Sequence, residues 1–214
     1  MGFRLRKAQP EDGPFLADII MMAGRNHISR AVLEYLLGGK PNDCMTFLQM
    51  LLITQIPHLF HHSRFMIAED TSGPVAAMGG YDPETMGYQA FLAAIPEVSP
   101  ILGWSETEQE LVRERTDKLV PCMPVIKEGA WVIDRGATAP DARRQGAAGA
   151  LLDGLVAEGK ELGFGFAQTN IYIGNDPGIK LFEKNGFRIA EEKIDNFFEK
   201  MIGAPGMVSL KKDV

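Results

Sequence analysis

Apolar and polar positions alternate over residues 3–8, the period-two pattern of a strand with one buried face. Gln9-Pro10-Glu11-Asp12 breaks the alternation. A proline and two acids suit a helix start, where the first N–H groups lack partners and the dipole favours negative charge. Phe15, Leu16, Ile19, Ile20 and Ala23 then recur at helical spacing up to Gly24. A second helix is expected over residues 28–37, stopped by Gly38-Gly39. A third runs from an Asn42-Asp43 cap to Ile56, before Pro57. Residues 64–69 and 75–81 are strand-like and joined by Asp70-Thr71-Ser72-Gly73-Pro74, which predicts a hairpin.

From Asp82 to Glu128 the pattern loosens, punctuated by Pro83, Pro96, Pro100, Pro121 and Pro124. One helix is expected there, over 105–119, because Ser105 and Glu108 stand at capping-box spacing. Residues 82–130 read as an insertion or lid within a single domain spanning 1–214, since about 45 residues rarely bury a core alone. Regular patterns return with a strand at 131–138, a helix at 146–162 and a strand at 166–173. A helix at 177–184 is stopped by Asn185-Gly186, and strands at 187–192 and 207–211 close the chain. The order is β-α-α-α-β-β-(insertion)-β-α-β-α-β-β, an α/β (α+β) chain with no internal repeat.

Composition narrows the function. The 214 residues carry a formal charge of -6, so a protein that coats nucleic-acid backbone is not expected. The two cysteines, Cys44 and Cys122, make no disulfide framework in a chain this long. No CxxC pair or His–Cys cluster points to zinc. Charges at the start are followed by no apolar h-region, position 6 is Arg rather than Ser or Thr, and no apolar stretch reaches membrane-spanning length. No signal peptide, myristoyl site or membrane span is expected, and the cytoplasm is the default compartment.

Chemistry concentrates in Thr138-Ala139-Pro140-Asp141-Ala142-Arg143-Arg144-Gln145-Gly146-Ala147-Ala148-Gly149. A strand ends, a turn of small residues and arginines follows, and a helix begins. Small side chains let a ligand approach the backbone, and the helix N-terminus offers N–H donors and partial positive charge. This is an anion site suited to pyrophosphate, with Arg143 and Arg144 as charge-assisted donors. A tight turn with a small-residue packing face is the alternative. Neither a P-loop nor a dinucleotide fingerprint fits the spacing.

Arg143-x-x-Gly146-x-Ala148, with Pro140 three residues ahead, resembles the [RQ]-x-x-G-x-[GA] signature of the GNAT-type N-acetyltransferases. About 30 residues on, Asn175-Asp176-Pro177-Gly178-Ile179-Lys180-Leu181-Phe182-Glu183-Lys184-Asn185-Gly186-Phe187 resembles that family's N-x-x-A-x-x-L-Y-E-K-x-G-F. The resemblance implies a mixed, mostly antiparallel twisted sheet flanked by helices. It also implies transfer of an acetyl group from acetyl-CoA, the co-substrate, to an amine of a small molecule or peptide. It puts pyrophosphate on Arg143, Arg144, Gln145, Gly146, Ala147 and Ala148, and the pantetheine arm beside Gly136, Ala137 and Thr138, where two strands splay. Asn175 would lie near pantetheine or substrate, or serve as a helix cap.

Acyl transfer to an amine asks for a base, an oxyanion donor and an acid for the departing sulfur. In many members of the family the acid is a Tyr where this chain has Phe182. The nearest other phenol in sequence is Tyr172, with a strand aromatic in the core or at its edge as the favoured alternative. Asp134, a charge in mid-strand, is the base candidate, with pairing to Arg135 or Arg64 as the alternative. Glu128 is a weaker candidate. His58, His61 and His62 could offer a base or a metal site, but H-x-x-H-H lacks a carboxylate motif, and a solvated loop is expected instead. Met21, Met22, Met45, Met50, Tyr81, Met86, Tyr88, Phe91 and Trp104 read either as an apolar acceptor pocket or as core and lid packing. Loss of the acid leaves a second function open, a non-catalytic acyl-CoA-binding or regulatory protein. The apolar C-terminal strands could support a homodimer.

Overall fold

The computed structural model describes residues 2–38 and 41–214. The seven strands are β1 (Arg4–Lys7), β2 (Phe65–Asp70), β3 (Gly73–Tyr81), β4 (Ala130–Thr138), β5 (Phe166–Tyr172), β6 (Arg188–Ile194) and β7 (Gly206–Asp213). They form one sheet in the order β1-β2-β3-β4-β5-β7-β6. Only β4 and β5 pair in parallel; the other neighbours are antiparallel. Parallel neighbours need a crossover, and here it is α7 (Ala147–Glu161).

Two layers of helix cover the sheet. On one face α1 (Gly13–Arg25) and α3 (Pro41–Leu51) bury Leu16, Ile19, Phe47 and Leu48 with Phe65, Ile67 and Ala77 of the sheet. On the other, α7 buries Leu151, Leu152 and Leu155 with Ala76, Met78, Trp131 and Ile133. Trp131 fixes the height of α7. Its indole N–H donates to Leu155 O at 2.9 Å. A Cβ on Gly159 or Gly80 would stand 2.6 or 2.7 Å from its ring, so both must lack a side chain. α8 (Asp176–Lys184) lies between β5 and β6 in the chain.

The expected strands are all present. The helices differ more. Gly24 does not end α1, which continues to Arg25; Asn26 turns the chain at φ 41°. Gly24 lets the returning chain close in, with Ala31 Cβ 3.0 Å from where its own Cβ would be. The second helix shrinks to α2 (Val32–Leu36). The third begins at Pro41 and stops at Leu51. Gly39 and the side chain of Asn42, expected as stop and cap, lie outside the described residues.

Between β3 and β4 the structure has α4 (Pro83–Met86), α5 (Tyr88–Val98) and α6 (Glu106–Leu119). The Ser105 capping box stands as expected, with Glu108 N–H donating to Ser105 Oγ at 3.2 Å. α5 has no sequence signal because Pro96 sits in its last turn. α9 (Asn196–Ile202) was likewise not legible, although Asp195 caps it, accepting from Phe198 N at 2.8 Å.

Candidate active site

β4 is the central strand, flanked on both sides, and should be buried throughout. It is buried only to Ile133. Asp134, Arg135, Ala137 and Thr138 are half-buried, and Gly136 is exposed. Two irregularities open it. The ladder to β5 covers only Ala130–Val132 against Phe166–Gln168, after which the strands part. Toward β3, Ala77 faces Ala137 while Gly79 faces Asp134, so Met78 is set against two residues, a β-bulge. Arg135 sits in the bulge at φ 52°. A Cβ on Gly136 would meet Met78 Cε at 2.6 Å, so a side chain there would have to displace Met78.

The bulge decides which backbone groups face the gap. Ala139 N donates to Val75 O at 2.8 Å, toward β3. Extended residues turn alternate amides to opposite edges. Thr138 and Gly136 therefore face the gap, while Ala137 faces β3 and packs on the α1 side. Consistent with this, Thr138 O accepts from Arg143 Nε at 3.2 Å.

From the end of β4 the chain passes a single 3-10 turn, Pro140–Ala142, and enters α7. Arg144 at φ 62° and Gly146 at φ 97° bend the backbone so that α7 starts at the end of the gap. No side chain caps its first turn. Nothing lies within 4 Å of a Cβ placed on Gly146 or Gly149, so space is left over the free N–H groups. Arg143, Arg144 and Gln145 are exposed around it, with Gln145 Nε2 donating to Asp141 O at 3.2 Å. Donors, charge and room fit a pyrophosphate.

Asp134 is bracketed by two guanidiniums. Its Oδ1 accepts from Arg64 Nη2 and its Oδ2 from Arg135 Nη1. The Arg64 side chain is 0% exposed, and its Nε has no partner. Desolvation opposes the Asp134 carboxylate, but Arg135 and Arg64 outweigh it and hold the carboxyl below its usual range. A carboxylate held ionised this firmly is a poor proton acceptor.

Tyr172 ends β5 beneath α2. Its ring packs with Phe198, Ile202 and Ala204. Burial pushes its pKa up to about 12, so it keeps its proton at neutral pH. Asn175 caps α8, its Oδ1 accepting from Gly178 N at 3.0 Å. Phe182 is buried edge-on against Phe187, centroids 5.0 Å apart.

The sequence of the Acetyltransferase (GNAT) family matches residues 41–187. The chain belongs to the GNAT acetyltransferase family. No curated protein matches it by sequence. Among solved structures it is similar to an N-acetyltransferase from Staphylococcus aureus Mu50, with TM-score 0.69 and 17% identity, covering 98% of this chain and 100% of that one. It is also similar to an acetyltransferase with TM-score 0.60 and 18% identity, 99% of each chain covered. A third is a GCN5-related N-acetyltransferase from Kribbella flavida, with TM-score 0.58 and 14% identity, covering 100% of this chain and 98% of that one. At these identities the likeness is one of fold.

Within this GNAT fold the three clustered histidines do not form a solvated loop. His58 and His61 are buried. His58 Nδ1 accepts from Phe60 N at 3.0 Å, so Nε2 carries the proton toward Thr54 Oγ1, 3.1 Å away. His61 Nδ1 accepts from Ser63 N, and its Nε2 faces Thr54 O at 3.0 Å. His62 Nδ1 lies 2.7 Å from Leu52 O. The cluster ties the α3–β2 connection together, which is why α3 stops early. Among the described residues no three metal-binding side chains converge. No helix there is long and apolar enough to cross a membrane.

The remaining histidine was not singled out from sequence. His27 follows the Asn26 turn and is exposed. Its ring is 6.5 Å from that of Tyr172, and its Nε2 would be 2.9 Å from a Cβ on Gly174. Gly174 at φ 93° leaves the room it needs. Glycine just before Asn175 was the available signal, but only the fold brings His27 to it.

Proposed function

We propose that the protein transfers an acetyl group from acetyl-CoA to an amine of a small molecule or peptide. The observation that carries this is the opened half of β4, which leads through a 3-10 turn and the bend at Arg143–Gly146 to the uncapped N-terminus of α7. Acetyl-CoA supplies an activated thioester carbonyl. Arg143, Arg144 and Gln145, with the amides of Gly146, Ala147 and Ala148, hold its pyrophosphate. Gly136 and Thr138 offer backbone groups to the pantetheine arm, Ala137 lines it, and Asn175 lies toward its far side. Gly136 N–H is the oxyanion donor.

In this reading His27 takes the proton of the amine, as imidazoles commonly do. Tyr172, which keeps its own proton at neutral pH, donates to the departing sulfur. Asp134 is a positioning residue that aims Arg135. These residues come from one chain; a homodimer would meet at the edge strand β6, where Ile189 and Ile194 are 49% and 64% exposed.

Phe182 favours a second reading, a non-catalytic acyl-CoA-binding or regulatory protein. Calorimetric titration of acetyl-CoA tests what both share. Binding that Gly146→Asp abolishes is expected, and equal affinity in the two proteins would sink both. Turnover with an amine then separates them.

A further inference from the structure

Arg64, Asp134 and Arg135 bring two guanidiniums to one carboxylate in the middle of the sheet. Asp134 is the one carboxylate bonded to either arginine among the described residues. Guanidinium groups do not lose their charge in proteins. The set therefore carries a net charge of about +1 in a low-dielectric place, where an unbalanced charge is costly. Arg64 cannot meet an outside anion, because its side chain is sealed. Arg135 can. Its side chain is 25% exposed, and its Cζ lies over the Phe60 ring at 4.3 Å. Five donors in a rigid fork leave it N–H groups beyond its bond to Asp134.

We infer that Arg135 is the anchor for a carboxylate on the acceptor, and that the acceptor is an α-amino acid or a compound carrying the same amine–carboxylate pair. This rests on the acyl-transfer reading of the same site. Charge favours a monoanion, since one carboxylate cancels the excess and a phosphate dianion would overshoot it. Position favours a short link between the two groups. Arg135 is bonded directly to Gly136, whose amide faces the gap, so an amine near that amide lies only a short span from a carboxylate on the guanidinium. A peptide N-terminus has an amine without a neighbouring carboxylate and does not satisfy this arrangement. Asp134 and Phe60 hold the fork in place for it.

The test compares matched compounds. Methionine, phenylalanine, leucine and lysine are each assayed beside the amide and the decarboxylated amine of the same side chain. Thiol release from acetyl-CoA gives kcat/KM, and titration of each N-acetylated compound in the presence of CoA gives affinity. The free carboxylate should be preferred over both partners by about tenfold or more for at least one parent, the size expected of a charge-assisted pair. In Arg135→Gln that ratio should fall toward one, and Arg135→Lys should keep part of it. Circular dichroism and acetyl-CoA affinity confirm that each variant folds, and the wild-type comparison stands without them. Matched compounds that are not discriminated in turnover or in affinity overturn the inference, as does a preference that persists in folded Arg135→Gln. Failure of the wild type to bind acetyl-CoA would instead remove the acyl-transfer reading and this one with it.

Discussion

The Arg64 guanidinium lies where a side chain on Gly79 would have to go. A Cβ built on Gly79 would stand 2.5 Å from Arg64 Cζ. The guanidinium has little freedom to retreat. It bonds Asp134 and Leu59 O and rests over the rings of Phe65 and Tyr81, 4.8 and 4.3 Å from their centroids. Gly79 and Arg64 are therefore one structural unit. Gly79→Ala should cost about 3 kcal/mol, through overpacking and loss of the buried ion pair. The check is urea unfolding: a lower midpoint at an unchanged slope is expected, and an unchanged midpoint would contradict the unit.

Acid should loosen the fold before any carboxylate titrates. Burial, reinforced by the charges of His61, Arg135 and Arg64, lowers His58 from 6.5 to about 4. Burial lowers His61 as well. The unfolded chain then binds more protons than the folded one between these values, so stability falls as pH drops from 6.5 toward 4. His58 alone contributes up to about 3 kcal/mol of that change. Unfolding free energy measured across this window should show the slope, and His58→Asn should flatten it while keeping the acceptor for Phe60 N–H. An unaltered slope in that variant would assign the effect elsewhere.

Tyr172→Phe should lower kcat by about 100-fold, the lower range for a lost proton donor, with acetyl-CoA affinity unchanged. Phe182→Tyr, which restores the phenol common in the family, should raise kcat in the Tyr172→Phe background. Steady-state kinetics of the three proteins decides it. Full activity in Tyr172→Phe would make that ring a core residue only.

The sheet was legible because its signals are local: period-two alternation, the turn before β3, and small residues where β4 gives way to α7. The turn proposed to hold the pyrophosphate stands out for the same reason, since Arg143 to Ala148 are contiguous. The surroundings of Asp134 were legible only in part. Pairing of Asp134 with Arg135 or Arg64 was an expectation from the sequence, but that both guanidiniums bond it at once, with Phe60 against Arg135, comes only from the fold. The histidine cluster misled for a related reason. H-x-x-H-H after Pro57 and outside any regular period resembles a loop, and its burial comes from α3 and α5 folding over it.

Arg143→Ala should weaken acetyl-CoA binding about tenfold, the size of one lost charge-assisted bond. Because Arg143 Nε also holds Thr138 O, the variant should loosen the end of β4 as well. Hydrogen exchange at Thr138 and Ala139 checks the second effect beside calorimetry for the first. Unchanged affinity would place the pyrophosphate away from this turn.

The central claim is acyl transfer at the β4 gap, and release of free thiol from acetyl-CoA tests it most directly. The assay runs the wild type and Gly146→Asp across a panel of amines, with a no-amine control. The account predicts amine-dependent thiol release by the wild type, with the acetylated amine formed in equal amount, and none by Gly146→Asp. Bound acetyl-CoA with no amine-dependent release on any member of the panel would contradict it.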